Sequence, residues 1–405
     1  MLRRREFLLS LASAALVPRR VWLARGSQSL YASVGRVLMR YDVDVVGATL
    51  VARESVELPA GVQYAWPHAS KRFLYVASSD GGPAAIGAKH FLSAFRVDSA
   101  TGALTPHGDD IALRTRPINV TTDIPSDFLL TAYNSPSGIT VHRINGDGTI
   151  GVEVQQPERI DGGIYAHQVR IAPSNRFAIL VTRGNDATPL APEEPGAFKV
   201  FRYGNGLLTG EVSVAPNLGY GFGPRHIDFH PSAPWMFVSM ERENQIRAWR
   251  LAGEGIAPDS SQSRDMLADP ARVVTRQLAG TVHVHPSGRF VYGANRADGT
   301  VDVGGKAVFN DGENSLVVYS FDAPSGQLTL VQRMDTRGIH ARTFHIDPTG
   351  RLLVAGNVAP LALRSGVVVP ASLAVFRIGR DGRLTFARKY DVDVGGGSLF
   401  WVGMV

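Results

Sequence analysis

The chain predicts an all-β fold, a seven-bladed β-propeller with the ring closed by pairing N- and C-terminal strands. Three observations predict it. One corner is written four times, as Pro173-Ser174-Asn175-Arg176-Phe177, Pro231-Ser232-Ala233-Pro234-Trp235, Pro286-Ser287-Gly288-Arg289-Phe290 and Pro348-Thr349-Gly350-Arg351-Leu352. Ala69-Ser70-Lys71-Arg72-Phe73 and the shorter Pro125-Ser126-Asp127-Phe128 are two further copies. The copies stand 48 to 62 residues apart, the length of one four-stranded blade. Short runs rich in β-branched and aromatic residues flank each copy, and there is hardly any helical periodicity after residue 20.

Each element follows from local chemistry. In the corner, Pro pre-sets one turn position, and Ser, Asn, Gly or Asp suit the next ones. Strand signals follow at Phe73–Ala77, Phe177–Val181, Trp235–Ser239, Phe290–Ala294 and Leu352–Gly356. A third strand begins at Leu92, Ile139, Phe198, Ile246, Leu316 and Leu373. Gly-containing turns at Ser99–Ala103, Asn145–Thr149, Ala323–Gln327 and Gly379–Arg383 then lead into one more strand, as hairpin turns do. That makes six blades. Leu30–Val34 and Val37–Tyr41 need an innermost strand, and Ser398–Val402 is a strand with nothing after it. Pairing these ends completes a seventh blade and removes an open sheet edge.

Length alone allows two or three domains in 405 residues, but the repeat argues for one ring over residues 29–405. With no cysteine, a disulfide framework, a thiolate metal site and a Cys nucleophile are all excluded. Residues 1–28 carry +5 of the formal +6, so the remainder carries about +1 and offers no basic face for nucleic acid. Arg3-Arg4-Arg5-Glu6-Phe7-Leu8-Leu9 opens an apolar stretch ending at Val17, with Ala12-Ser13-Ala14 as a candidate cleavage site. This is the pattern of an export signal, similar to the twin-arginine type and too short for a permanent membrane anchor. A periplasmic or secreted, monomeric chain is the expectation.

Antiparallel pairing puts the start of each inner strand and the end of the second strand on one face of the disc. The residue six before the corner Pro is Gln63, Asn119, His167, Arg225, Gly280 or Arg342. The residue ten after it, allowing one deletion in the shortened copy, is Ser79, Asn134, Arg183, Glu241, Arg296 or Val358. Both columns are mostly polar or charged and should converge on one mouth of the channel. Three insertions, Arg183–Phe198, Arg296–Ser315 and Asn357–Ser372, leave from the same face and should rim it. The opposite face takes the tight corners, with no room for a site. His226 and His340 flank the columns. His230, His283, His285 and His345 alternate near the corners and read as structural.

Arg183, Arg225, Arg296 and Arg342 against Glu241 make a net positive mouth. Guanidinium forks bind carboxylate or phosphate at two points, so a small anionic ligand is expected. No His/Asp/Glu set has metal-ligand spacing. No Gly-x-Ser-x-Gly elbow or Gly-rich phosphate loop is present, so neither metal nor cofactor is expected.

Gly223-Pro224-Arg225-His226-Ile227-Asp228-Phe229-His230-Pro231, Val238-Ser239-Met240-Glu241-Arg242-Glu243-Asn244 and Val284–Arg296 resemble the seven-bladed lactonase family. That family holds cycloisomerase-type 6-phosphogluconolactonases of bacteria and fungal carboxymuconate lactonizing enzymes. The resemblance covers roughly residues 29–405 and implies a site of His167, Arg225, Glu241 and Arg296. It implies a hydrolase that opens a small anionic lactone. Arg225 and Arg296 would bind the anionic group and the oxyanion, and either Glu241 or His167 would take the water's proton. Arg183, His226, Arg342, Asn119, Gln63 and His340 would contact substrate. A lactonizing cyclase acting on an unsaturated diacid, or a non-catalytic binding propeller, stays open beside it.

Overall fold

A computed structural model describes residues 28–405 apart from 83, 84, 86 and 275. The proposed export signal therefore lies outside the described residues. Seven antiparallel sheets of four or five strands form the ring. Their innermost strands are Leu399–Met404, Gly61–Pro67, Pro117–Thr122, Ala166–Ile171, Pro224–Phe229, Gln277–Val284 and Ala341–Ile346. Each touches the next around the channel, and Leu399–Met404 touches Gly61–Pro67 to complete the circle. The expected closure is present: Leu399–Met404 pairs with Gln28–Val34, with Leu30 opposite Met404 and Ala32 opposite Val402.

The core is divided among seven apolar clusters, one between each pair of neighbouring blades. This follows from the pleat, since successive side chains point to opposite faces and both faces of a blade are covered. Between the fourth and fifth blades, Phe198 meets Phe222 and Trp249 edge-on at ring distances of 5.3 and 5.2 Å.

The hairpin glycines have a second job that their turn chemistry does not reveal. An aromatic at the corner of one blade lies against the outer hairpin of the next. Gly382 (φ +80°) lies where a Cβ would fall 2.4 Å from the Phe290 ring, and its carbonyl accepts the Tyr292 hydroxyl at 2.8 Å. Gly148 (φ +91°) repeats the contact under Phe73. Glycine alone satisfies both the left-handed backbone and the ring above it.

Two of the three insertions form hairpins of their own. Thr300–Val303 pairs with Lys306–Phe309, Leu361–Ala362 pairs with Val368–Val369, and a parallel bridge from Val308 to Ala362 joins the two hairpins into an extra sheet. Among the described residues no helix is long and apolar enough to cross a membrane.

Replacing Gly382 by Ala should destabilise the ring by about 1–3 kcal/mol, the usual cost of overpacking. Urea unfolding beside the wild-type chain measures this; an unchanged midpoint would mean that the aromatic–glycine contact between blades contributes little.

Candidate functional site

All seven inner strands carry one residue more than the partner strand opposes, close to their upstream end. The extra residue is Gln63, Ile118, His167, Arg225 or Arg342 in five of the blades. A bulge bends the strand and re-aims a side chain that a regular pleat would place elsewhere. The corner motif sets the distance to this bulge, which is why a column counted back from the corner reaches it.

A cavity of about 740 Å³ occupies the mouth on the bulge side. His167, Arg183, Glu241, Arg296, Arg342 and His340 line it. Asn185, Asp186 and Thr188 from the first insertion, Asp298 from the second and Val358 from the third complete the rim.

Four expected contacts lie off the lining. Asn119 is displaced because the corner Pro of its blade stands one position late, so the bulge residue is Ile118. Asn119 is buried instead, and its Oδ1 accepts the Val169 amide at 3.1 Å, stitching one inner strand to the next. Gln63 lies behind the wall, where its Oε1 accepts Arg116 Nε at 3.0 Å and Nη2 at 2.8 Å, and Arg116 reaches the cavity. Arg225, expected at the mouth, is fully buried and off the lining, with its Nε 3.1 Å from Glu241 Oε2. His226 plugs the channel below, with Thr281 Oγ1 3.3 Å from its Nδ1 and the His167 ring at 5.0 Å.

Tyr64, His226 and Trp401 form a layer across the channel, with Tyr64 6.2 Å from each of the other two rings. Beneath it lies a second hollow of about 310 Å³, bordered by Trp66, Arg170, Asp228, His283 and His345. The expectation that the corner face has no room is thus corrected. His230 and His285 act as turn clamps: His230 Nδ1 accepts the Ala233 amide at 2.8 Å, and His285 Nδ1 accepts the Ser287 amide at 3.1 Å.

Glu241 is the electrostatic centre of the mouth. Its Oε1 accepts Arg296 Nη2 at 2.9 Å, while Oε2 lies 3.1 Å from Arg225 Nε and 3.6 Å from Arg183 Nε. Burial pushes its carboxyl up, but Arg296, Arg225, Arg183 and Arg342 outweigh that and hold it below the ordinary range. Burial followed by the field of Arg225 pushes His167 well below the usual imidazole value, so it is neutral. Arg342 stacks on Phe400 with its guanidinium carbon 3.8 Å from the ring centroid. Its guanidinium makes no hydrogen bond or ion pair among the described residues. Burial, then Arg225 and Arg296, push it well down, so an incoming anion would relieve it.

A second chain of contacts runs along the rim. Arg296 Nη1 donates to His340 Nε2 at 3.0 Å, and His340 Nδ1 lies 3.1 Å from Asp298 Oδ2. Arg276 grips Asp298 in a fork of 2.6 and 2.8 Å. Counting back from the corner does not find Arg116, Tyr165, Arg276 or Asp298, all of which line the cavity. A signal existed for two of them. Arg116 and Tyr165 stand two residues before the bulge residues Ile118 and His167, as His340 stands before Arg342. Five arginines against three carboxylates leave the lining net positive. Among the described residues no group of three or more His, Asp or Glu is placed to hold a metal ion.

Glu241→Gln should cost about 3–5 kcal/mol at neutral pH, because it breaks a buried ion cluster on one side. The folded carboxyl is depressed, so its stabilisation is complete above the unfolded value of about 4.3 and fades as pH falls through the folded one. Denaturation of both proteins at pH 7 and near pH 3 should show the gap shrinking in acid; an equal gap at both would refute the ion-cluster account.

Comparison with known proteins agrees with this architecture. The family described as Lactonase, 7-bladed beta-propeller, matches residues 28–360. The 6-phosphogluconolactonase of Bacillus subtilis is 27% identical over 275 residues, 66% of this chain and 70% of that protein. The 6-phosphogluconolactonase of Cronobacter sakazakii is 26% identical over 309 residues, 76% of this chain and 81% of that protein. The solved periplasmic gluconolactonase of Pseudomonas aeruginosa superposes with a TM-score of 0.69 at 20% identity, covering 93% of this chain and 99% of that one. The chain belongs to the seven-bladed β-propeller lactonase family.

Proposed function

We propose that this chain is a lactonase that opens the ester of a small sugar-acid lactone bearing a carboxylate or phosphate. The observation that carries the reading is Arg342, a half-buried guanidinium with no hydrogen-bond or ion-pair partner among the described residues, facing the cavity that holds the Glu241 cluster. Unlike Arg183, Arg225 and Arg296, it has no carboxylate of its own to neutralise it. The substrate's anion supplies that charge, and the fork geometry favours two-point contact with carboxylate or phosphate. With the ring held there, its ester carbonyl faces Arg296 and Arg183. Their donors stabilise the oxyanion that forms as water adds. Arg225 is a positioning residue, since it reaches the site only through Glu241.

The names of the curated relatives and the family match favour hydrolysis over cyclisation. The Arg3-Arg4-Arg5 start and the apolar run behind it favour work outside the cytoplasm. A solved neighbour that is a periplasmic gluconolactonase is consistent with this. No cofactor or metal is required by the chemistry proposed.

A pH-stat assay against neutral, carboxylated and phosphorylated γ- and δ-lactones tests the reading. Acid release above the spontaneous rate is expected, fastest on anionic members. Arg342→Ala should raise KM for those members about 10- to 100-fold, the worth of a hydrogen bond to a charged group, and leave neutral lactones nearly unaffected. Equal effects on both classes would remove Arg342 as the anion anchor.

A further inference from the structure

The reading above leaves the proton of the attacking water without an owner. Glu241 is poorly suited to take it, since three guanidiniums converge on its two oxygens and no single substrate contact would free it from all of them. His167 has no carboxylate within ion-pairing distance among the described residues, and its ring packs on His226. A third group on the same cavity has the geometry of a base with a partner. We propose that His340, oriented by Asp298, accepts the proton of the attacking water and returns it to the leaving oxygen.

Three independent features point to it. The first is the hydrogen-bond direction. Arg296 Nη1 can only donate, so His340 Nε2 accepts at 3.0 Å. The ring proton therefore sits on Nδ1, which lies within ion-pairing distance of Asp298 Oδ2 at 3.1 Å, in a geometry that falls short of a hydrogen bond. This is the tautomer that leaves a lone pair on the cavity side, and a carboxylate behind a histidine steadies the imidazolium that proton uptake creates. Arg276 holds Asp298 from beyond, so the carboxylate is itself fixed.

The second is backbone strain. His340 sits at φ +59°, a left-handed conformation that is uncommon for a residue with a side chain. The surroundings hold it there. Asn314 Oδ1 accepts the His340 amide at 2.7 Å and the Ala297 amide at 3.0 Å, and Asn314 Nδ2 donates to the Ala297 carbonyl at 3.1 Å. One asparagine thus pins His340 beside the segment that carries Arg296 and Asp298. Strain of this kind collects at sites where geometry matters more than stability.

The third is location. His340 and Arg342 face the same cavity from one strand entrance, so an anion held by Arg342 brings its ring within reach of both His340 and Arg296. The anion on Arg342 sets the lactone carbonyl against the Arg296 Nη1 donor, which frees the His340 Nε2 lone pair at the moment substrate arrives. It also cancels part of the arginine field. Burial first, with that field beside it, holds the imidazole down at about 4, and Asp298 opposes them.

The step balances with water as the only co-reactant. The water oxygen bonds to the lactone carbonyl carbon, its proton passes to His340 Nε2, and the carbonyl π pair moves to the oxygen facing Arg296. Collapse restores the carbonyl and breaks the ring C–O bond. The imidazolium proton then moves to the departing alkoxide, giving the open hydroxy acid and neutral His340.

This assignment rests on the lactonase reading, and the experiment separates the two. His340→Gly suits the test because glycine takes the left-handed backbone without strain. On the anionic lactone that the wild type turns over best, kcat should fall about 10²- to 10⁴-fold. Added imidazole should restore part of it, while binding of the hydroxy-acid product, read by calorimetry, stays within threefold. Asp298→Asn should lower kcat with KM nearly unchanged and should not respond to imidazole. Turnover by His340→Gly within threefold of wild type overturns the base assignment and leaves the lactonase reading standing. Loss of product binding as large as the loss of turnover also overturns it, since His340 would then only shape the cavity. No hydrolysis of any lactone by the wild-type chain overturns the lactonase reading and this assignment with it.

Discussion

Pairing of Leu399–Met404 with Gln28–Val34 is the constraint on which everything else depends. It turns seven sheets into a ring, and a ring has no edge to protect. Once closed, each innermost strand has a neighbour on both sides, so the upstream ends of all seven reach the same mouth. Side chains from blades hundreds of residues apart in sequence are thereby held around one cavity. Aromatic-over-glycine contacts then lock neighbouring blades together at four junctions, where Phe73, Phe128, Trp235 and Phe290 cover Gly148, Gly206, Gly326 and Gly382.

Closure supplies the shared mouth, and the bulges supply the direction. A regular strand places alternate residues toward the channel; the extra residue interrupts that alternation near the upstream end. His167, Arg225 and Arg342 all occupy it. The bulge is therefore the local device that converts a structural repeat into a set of convergent functional groups. Below it, residues such as Asn119 and Gln168 return to stitching strand to strand, with Gln168 Oε1 accepting the Ile227 amide at 2.6 Å.

The chemistry of the mouth arises from charge crowding. Glu241 is shared among three guanidiniums and is spent on holding them together. In the reaction proposed here, Arg342 takes the charge of the substrate, and His340 with Asp298 moves the proton. Site residues thus divide into those that assemble the field and those that use it. The same residue types serve both ends, so composition alone does not separate them.

Much of this was legible in the sequence. The repeating corner, its spacing and the orphan strand at Ser398–Val402 determined the propeller and the way it closes, because turn chemistry and strand pairing are local rules that repetition amplifies. The same counting placed His167, Arg183, Glu241, Arg296 and Arg342 at one mouth, since a fixed corner-to-bulge distance is a property of the chain itself. It slipped at Asn119, where the corner Pro stands one position late, and it could not see that Arg225 lies behind Glu241 rather than beside it. Depth along a channel radius is set by which side chain packs in front, and only the folded ring decides that. Asp298, gripped by Arg276, meets His340 across two neighbouring blades for the same reason: the contact comes from how those blades pack and from Asn314 bridging them, neither of which has any periodicity to read.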